Sequence, residues 1–523
     1  MTDTPSSERP PDVDDHRHTA DLVRGALTSL VGKLAIASRQ LSVLLISNFL
    51  GSETLGFYRS AWQVVWIGFK VTRFGFHRSI ARAVVERRAD DDAAGWQSAI
   101  GKGMLIGLST GLLSAAFIFA FAPHIAAFLG DPTLVHPLRI MAWALPFLGP
   151  TSVCLASLRS LRIIKYDVYV NSIGGPMIVF VGAAITIAVG LGMIGLSLTQ
   201  TFMGAGMLVL ALSFFTRHYD VRGCLRHLRD ATPSWVSLIR FSFPVMLSDL
   251  INTLVVSIDM LLVFRFEGKE AAGIYFIARQ ISTVMRKAPQ AFDPVLGPII
   301  ADLTYRRQER ALSDELAFLL RWILTINVAY LAGFYLIGGR LLLIYGPEFP
   351  AGAPAAWVLC LGMLIFALSI PMESLLIMSG HPRTSLFNNA IWLASATLLC
   401  FWLIPEYGIM GAAWSSTASL ILVSFARLVQ SYRLLHLNPF RWQQLKPLAA
   451  GLIGILATIL FKYLIPLPPL WSLVPELVIF TGSFFLTLYL LGLHKRDRML
   501  IDRMRKKLGG KKNLPTIPPE TPS

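Results

Sequence analysis

Stretches of about twenty apolar residues follow one another along most of the chain, and each is long enough to cross a bilayer as an α-helix. The composition agrees, because 54% of the residues are hydrophobic and 15% are charged, whereas an average soluble domain is about 25% charged. The chain is therefore predicted to be an all-α, polytopic membrane protein of about fourteen transmembrane helices. These helices are predicted near residues 24–49, 56–84, 97–122, 138–158, 167–189, 194–216, 236–264, 271–301, 315–337, 354–378, 384–404, 408–434, 445–465 and 473–493.

The loops between these helices alternate in charge. Residues 50–55, 123–137, 190–194 and 404–408 contain no Lys or Arg, whereas most of the other loops and the tail are rich in them. The positive-inside rule then places both termini in the cytoplasm. Most of the formal charge of +16 is thus a topological signal, and no nucleic-acid partner is predicted.

One thirteen-residue stretch occurs twice, and it divides the chain into two related halves. Residues 51–63 and 268–280 are identical at six positions with an offset of 217. Six helices per half is an even number, so the halves form a parallel repeat about a pseudo-two-fold axis along the membrane normal. The predicted domains are a disordered cytoplasmic N-terminus (1–20), a six-helix lobe (24–216), a basic cytoplasmic linker (217–235), a second six-helix lobe (236–434), two further transmembrane helices (445–493) and a basic cytoplasmic tail (494–523).

This architecture favours a transporter, in which a substrate path runs between the two halves. A membrane-embedded polymerase or ligase is the competing class, but the outward loops are short and carry no paired carboxylates and no Ser/His/Asp arrangement. The chain has no Walker A motif, and its four cysteines lack metal or disulfide spacing. Neither a catalytic residue nor a cofactor or metal ion is predicted.

Charged residues at membrane depth mark the candidate site, because their burial in lipid is costly. The second helix carries a polar stripe whose members are spaced 4, 3, 4, 3 and 4 residues apart and share one face. They are Arg59, Gln63, Trp66, Lys70, Arg73 and His77. The stripe faces a wet cavity or other helices, unless Arg59 and His77 lie at the interfaces and extend to water.

The eighth helix carries a similar stripe that includes Arg279 and Arg286, with Lys287 beside it. Lys287 is the repeat equivalent of Lys70, and two lysines facing one central space would suit an anionic substrate. The first helix adds Lys33 and Arg39 as candidate cavity cations.

The seventh helix carries Asp249 and Asp259, where the first helix carries bases. These carboxylates either pair with cations of the other half or take up a coupling ion or proton. Glu373 of the tenth helix is a further candidate for ion coupling.

Several short segments resemble polysaccharide flippases, of O-antigen or exopolysaccharide type, in the multidrug/oligosaccharidyl-lipid/polysaccharide superfamily. The resemblance covers about residues 24–434. The segments are Leu50-Gly51 through Gly56-Phe-Tyr58 to Phe74-Gly75-Phe76, Leu158 to Tyr166 with Asn171 to Pro176, and Phe241-Ser-Phe-Pro244 followed by Asp259, Gly273-Ile-Tyr275 and Ala278-Arg279.

The resemblance implies a flippase that moves polyprenyl-pyrophosphate-linked oligosaccharide across the bacterial inner membrane by alternating access. It implies a central cationic cavity, to which Lys70 and Arg279 would contribute, and a lipid-tail groove near the last two helices. Membrane lipid and the polymerase or export proteins of polysaccharide and lipopolysaccharide synthesis are the implied partners. The alternatives are a small-molecule exporter or a peptidoglycan-precursor (lipid II) flippase of the same superfamily.

Overall fold

The computed structural model describes residues 12–161, 163–229, 234–292, 300, 302–303, 306, 308–435, 442–465, 468 and 472–491, with side chains from Arg39 onwards. Nine helices in this part of the chain are long and apolar enough to cross a membrane. They become ten if Pro132–Ala142 and Leu145–Ser160, which meet at 41°, count as one span. The predicted all-α, polytopic class is confirmed, whereas the predicted count of fourteen helices is not.

The described helices of eight or more residues are labelled in chain order. They are α1 (Asp12–Arg73), α2 (Phe76–Ala89), α3 (Ala93–Leu129), α4 (Val135–Ala142), α5 (Leu145–Ser160), α6 (Gly175–Val189), α7 (Gly192–Phe215), α8 (Trp235–Val255), α9 (Ile258–Ser282), α10 (Glu309–Leu342), α11 (Ala353–Met378), α12 (Pro382–Leu435), α13 (Leu445–Leu464) and α14 (Leu473–Leu490). These helices do not match the fourteen predicted spans one for one. Neither α1 nor α9 is among the nine apolar helices. The stripe predicted on the second helix lies on α1 as far as Arg73. Of the stripe predicted on helix 271–301, Arg279 lies on α9, whereas Arg286 and Lys287 follow the end of α9 at Ser282.

Single glycines break three of these helices. Gly51 in α1 and Gly268 in α9, the first residues of the two repeat copies, have φ angles of 81° and 84°. Gly408 breaks α12 in the same way. Only glycine adopts such angles readily, because it lacks a Cβ atom. Each repeat copy thus begins with a one-residue break within continuous helical chain.

The predicted second helix, 56–84, does not continue as one helix. Phe74 and Gly75 both have positive φ, at 47° and 72°, so the helical hydrogen bonds stop there and α2 begins at Phe76. The stripe from Arg59 to Arg73 lies on α1, whereas His77, predicted as its last member, lies on α2. Spacing alone did not reveal this break.

The described residues group into two compact units. The first comprises the described parts of Met1–Val284, Gly339–Phe366 and Gly380–Arg427, and the second those of Met285–Gly338, Ala367–Ser379 and Leu428–Ser523. Within the second unit, Ile300, Leu316 and Leu320 belong to a buried apolar cluster. There too, Lys462 of α13 lies 3.3 Å from the buried carboxylate of Glu476 of α14. The two six-helix lobes and their boundaries stay a prediction.

The two repeat copies contact each other in the first unit through their backbones. A Cβ atom at Gly56 would collide with the carbonyl oxygen of Lys269, and one at Gly273 would collide with that of Ser52. Gly56 and Gly273 are repeat equivalents, as are Ser52 and Lys269, so the contact is reciprocal. We call this contact between residues 51–63 and 268–280 the seam.

Side chains beyond the seam repeat the same reciprocity. Gln63 donates a hydrogen bond to Ser257, and its equivalent, Gln280, donates to Gln40, which is itself the equivalent of Ser257. The guanidinium of Arg59 lies 4.6 Å from the ring of its own repeat equivalent, Phe276. Contacts between equivalent residues occur close to a two-fold axis, so the copies are related by a local two-fold rotation.

Polar contacts surround the seam. The amine of Lys269 lies 2.5 Å from the carboxylate of Glu53, and this bond raises the pKa of Lys269. The backbone N–H of Ser52 donates to Glu348 at 3.1 Å, and its hydroxyl donates to the same oxygen. These two bonds lower the pKa of Glu348 below its ordinary value of 4.5.

We expect Gly273→Ala to destabilise the protein by about 1–3 kcal/mol, because the new methyl group forces the two backbones of the seam apart. The measurement is the thermal unfolding midpoint of the purified protein in detergent. Gly482→Ala is the matched control, since a Cβ atom there meets nothing within 4 Å. An unchanged midpoint for Gly273→Ala would show that the backbones are not in contact.

We expect the stabilising effect of Glu348 to depend on pH. A carboxylate whose pKa is lower in the folded state stabilises it above the unfolded pKa and loses this effect as the pH falls through the folded value. Glu348→Gln should therefore lower the unfolding midpoint at neutral pH, with a difference from wild type that disappears well below pH 4.5. The exposed Glu270, the repeat equivalent of Glu53, provides the control variant Glu270→Gln. A difference independent of pH would contradict the assignment.

Candidate functional site

Two adjoining cavities in the first unit share the polar stripe of α1. The first chamber, of about 490 Å³, is lined by α1, α5, α6 and α7. The second chamber, of about 450 Å³, is lined by α1, α8 and α9. Gln63, Trp66, Lys70 and Arg73 line both chambers. The stripe that the spacing predicts to face a cavity is thus placed against one.

Lys70 and Arg73 are half-buried where the two chambers adjoin. The amine of Lys70 lies 4.9 Å from the ring centroid of Trp66, which is a cation–π distance. The Nε atom of Arg73 is buried and has no hydrogen-bond partner among the described residues. Within the same residues, no carboxylate lies within 4 Å of either cation. Their charge is open to an anion that enters the chambers.

Arg39 and Arg59 line the first chamber but not the second. Arg59 stacks on Phe276, and its buried Nε atom has no hydrogen-bond partner in the described part of the chain. Arg39 is exposed and close enough to Arg59 for their positive charges to repel. None of the described residues that line this chamber is an Asp or a Glu.

Arg279 lines the second chamber and is held by a buried network. Its Nη1 atom donates to Asp259 at 2.8 Å. Asp259 is 6% exposed, and its other oxygen accepts from Tyr275 at 2.9 Å and from Ser416 at 3.2 Å. The ion pair joins two residues of α9, so Asp259 partners a cation of its own half. Arg279 therefore carries a largely neutralised charge.

Asp249 lines the second chamber from α8, and one of its oxygens lies 3.7 Å from Nδ1 of His77. It is the one carboxylate among the described residues that line this chamber. Three cations, Lys70, Arg73 and Arg279, line the same chamber. The chamber is thus cationic overall, with its negative charge on the side of α8.

The remaining predicted residues are not placed in these chambers. Arg286 and Lys287 belong to the second unit, where Arg286 is half-buried and Lys287 is exposed. Glu373 is half-buried in the same unit. Lys33 lies on α1, and its side chain is outside the described residues. The pairing of Lys70 with Lys287 across the two halves stays a prediction.

Sequence reasoning missed two residues of the first chamber. Arg159 lies just outside the predicted helix 138–158, but in the structure it is in the last turn of α5, lines the chamber and donates to Asp167 at 2.7 Å. Gln200 of α7 is 3% exposed and donates to Tyr58, while its Oε1 atom has no hydrogen-bond partner among the described residues. The sequence signal that could have identified Gln200 is its position as a single amide side chain within an otherwise apolar helix.

Comparisons with known sequences agree on one family. The profile of the family described as "Polysaccharide biosynthesis protein" matches residues 22–303. The chain is 25% identical over 215 residues to the teichuronic acid biosynthesis protein TuaB of Bacillus subtilis (strain 168), a match that covers 40% of this chain and 44% of that protein. It is 26% identical over 205 residues to the succinoglycan biosynthesis transport protein ExoT of Rhizobium meliloti (strain 1021), covering 39% and 40%. The chain spans less than half the length of each of these curated relatives.

Solved structures match the fold over a longer range. The lipid II flippase MurJ in an inward closed conformation has a TM-score of 0.73 at 12% identity, covering 91% of this chain and all of that one. An inward-facing multidrug resistance MATE family transporter of the MOP superfamily has a TM-score of 0.68 at 12% identity, covering 76% and 94%. Likeness at these identities establishes the fold and nothing finer.

We expect Asp259→Ala to destabilise the protein by about 3 kcal/mol, because it leaves the guanidinium of Arg279 with no partner at a site that is largely buried. The double variant with Arg279→Ala should lose less than the sum of the two single variants, measured as unfolding midpoints in a double-mutant cycle. The exposed pair Arg82–Glu86, at 2.6 Å, is the matched control and should show a coupling below about 1 kcal/mol. Equal coupling in both pairs would contradict the network described for Asp259.

Proposed function

The chain belongs to the polysaccharide biosynthesis protein family, as its resemblance to polysaccharide flippases predicts, and we propose that it is a lipid-linked oligosaccharide flippase. In this proposal it moves polyprenyl-pyrophosphate-linked oligosaccharide from the inner to the outer leaflet of the bacterial inner membrane. One relative is named as a transport protein of succinoglycan biosynthesis and the other as a protein of teichuronic acid biosynthesis. A MOP-superfamily fold supports transport rather than catalysis.

The observation that carries the proposal is the position of Lys70 and Arg73. Both cations line the two adjoining chambers, and no carboxylate of the described residues lies within 4 Å of them. A half-buried cation without an ion-pair partner is costly, and a pyrophosphate group would supply that partner. In return, the two cations would replace part of the hydration that a pyrophosphate loses when it leaves water.

The cations of the chambers suit transport because some side chains are flexible, whereas others are fixed by hydrogen bonds within the protein. Lys70 is a flexible point charge that can release an anion, whereas a rigid arginine pair would bind it more persistently. Arg279, already bonded to Asp259, adds positive potential with little further binding. A substrate that must leave again requires moderate affinity of this kind.

Alternating access would require the reciprocal contacts between the copies to change. The hydrogen bonds of Gln63 with Ser257 and of Gln280 with Gln40 join helices of different halves beside the chambers. Rocking of the halves would break both bonds together, because the two are related by the local two-fold rotation. The seam would then be either the point about which the halves rotate or the contact that closes the substrate path on its side of the membrane.

A peptidoglycan-precursor flippase is the second candidate. The fold matches the lipid II flippase MurJ at a TM-score of 0.73, and the same cations would accept any polyprenyl pyrophosphate. The family match and the named relatives favour polysaccharide precursors. A small-molecule exporter would need no cluster of open cations of this size.

The chain is a multi-pass membrane protein, and we place it in the inner membrane with both termini in the cytoplasm. This orientation rests on the alternation of basic loops. The lipid tail of the substrate would stay in the bilayer, and the polymerase or export proteins that use the flipped product are the proposed partners.

We expect Lys70→Ala, alone and combined with Lys287→Ala, to reduce flipping about tenfold or more, because the pyrophosphate loses a charge-assisted contact. The assay uses purified protein in vesicles with lipid-linked oligosaccharide and measures its arrival in the opposite leaflet. Repeating it at different pH and sodium concentrations would identify any coupling ion.

Two controls separate binding from folding in this assay. Lys70→Arg keeps the charge and should retain most of the activity, and Arg82→Ala removes an exposed cation outside both chambers. All variants should reach the membrane in equal amounts. Normal flipping by the Lys70→Ala/Lys287→Ala variant would reject the cavity assignment.

A further inference from the structure

The cations that α1 contributes to the first chamber fall into two separate groups. Lys70 and Arg73 form one group, and Arg59 with Arg39 forms the other. Arg59 and Lys70 are eleven residues apart on a continuous helix, which corresponds to about 16 Å at about 1.5 Å per residue. This distance between backbone positions is much longer than a pyrophosphate, so the two groups can hold separate negative charges.

The second group has its own unsatisfied charge. Among the described residues, neither Arg39 nor Arg59 has a carboxylate within 4 Å, and the buried Nε atom of Arg59 has no hydrogen-bond partner. The two positive charges also repel each other. Phe276, which packs on the guanidinium of Arg59, holds its plane in place but supplies no counter-charge. An anion bound here would relieve both the repulsion and the missing hydrogen bond.

Aromatic rings line the chamber between the two groups. Trp62, Trp66 and Phe69 follow one face of α1, with ring centroids 6.2 Å and 5.0 Å apart. Flat rings of this kind pack against the C–H faces of sugar rings. Gln200 of α7 also lines the chamber, and its side-chain carbonyl has no hydrogen-bond partner within the described part of the chain. We call these three rings the aromatic ledge.

We propose that the first chamber holds an acidic oligosaccharide, with its pyrophosphate at Lys70 and Arg73, its sugars on the aromatic ledge and a second negative charge, such as a uronic acid carboxylate, at Arg59 and Arg39. The proposal rests on the proposed function and narrows its substrate class. The order of the three parts along α1 matches the order of the parts in the substrate, in which the pyrophosphate joins the sugar chain at one end. A neutral oligosaccharide would leave Arg59 and Arg39 without a counter-charge.

Three probes test this proposal in a binding experiment with the purified full-length protein. They are a polyprenyl-pyrophosphate-linked disaccharide that ends in glucuronic acid, the same compound with the carboxylate reduced to an alcohol, and bare polyprenyl pyrophosphate. The wild-type protein should bind the acidic compound about tenfold more tightly than its reduced twin. Arg59→Gln should bring this ratio close to one, whereas Arg59→Lys, which keeps the charge, should retain most of it.

Two further variants make each outcome decisive. Lys70→Ala should weaken the binding of all three probes, because all three carry the pyrophosphate. Arg39→Gln, at an exposed position that tolerates substitution, should lower the acidic preference severalfold even if Arg59→Gln fails to fold. Equal affinity of the wild type for the acidic and reduced compounds, or an undiminished preference in the Arg59→Gln and Arg39→Gln variants, would overturn this proposal and leave the proposed function standing. Failure of the wild type to bind any of the three probes would overturn the proposed function itself.

Discussion

The backbone contact between the two repeat copies is the constraint on which the site depends. At Gly56 and Gly273 the facing backbone leaves no room for a Cβ atom. The helical segments that follow these glycines therefore begin in direct backbone contact with each other. Packing at this distance fixes their relative register, because protein interiors tolerate little empty volume or overlap. The stripe of α1 and the chamber-lining residues of α9 therefore face each other. The breaks at Gly51 and Gly268 supply the turns that make this approach feasible.

The contacts around the seam keep the two-fold relation, whereas several of the residues that line the chambers depart from it. Gly56 and Gly273 are an identical pair, as are Gln63 and Gln280, and the members of each pair make equivalent contacts. At the chambers, Arg279 corresponds to Trp62, Asp259 to Ser42, and Phe276 to Arg59. The two halves thus share residues that pack the seam and differ at positions that line the chambers. The first half contributes aromatic rings and cations without an ion pair, and the second contributes a neutralised ion pair.

Charges at membrane depth are handled in two different ways in this protein. Asp259 neutralises Arg279 and is itself satisfied by Tyr275 and Ser416, so this network is a structural element next to the second chamber. Lys70, Arg73 and Arg59 have no carboxylate of the described residues within 4 Å, and the described residues that line the first chamber include no Asp or Glu. A charge with an ion-pair partner inside the protein costs less folding free energy, but it interacts more weakly with a bound ligand. Open charges cost stability, and this cost is what makes them candidates for binding an anion.

The sequence by itself determined the class of the protein, the repeat at an offset of 217 and the face of α1 that carries Arg59, Lys70 and Arg73. These properties follow from hydrophobicity and from helical spacing, which are local. Tertiary structure alone decided that Arg279 turns to Asp259, that Arg159 and Gln200 reach the first chamber, and that α1 ends before His77. Spacing states which residues share a face of a helix, but the partner across that face comes from distant parts of the chain. For this reason the sequence pointed to a cationic cavity, and only the fold distinguished its open charges from its paired ones.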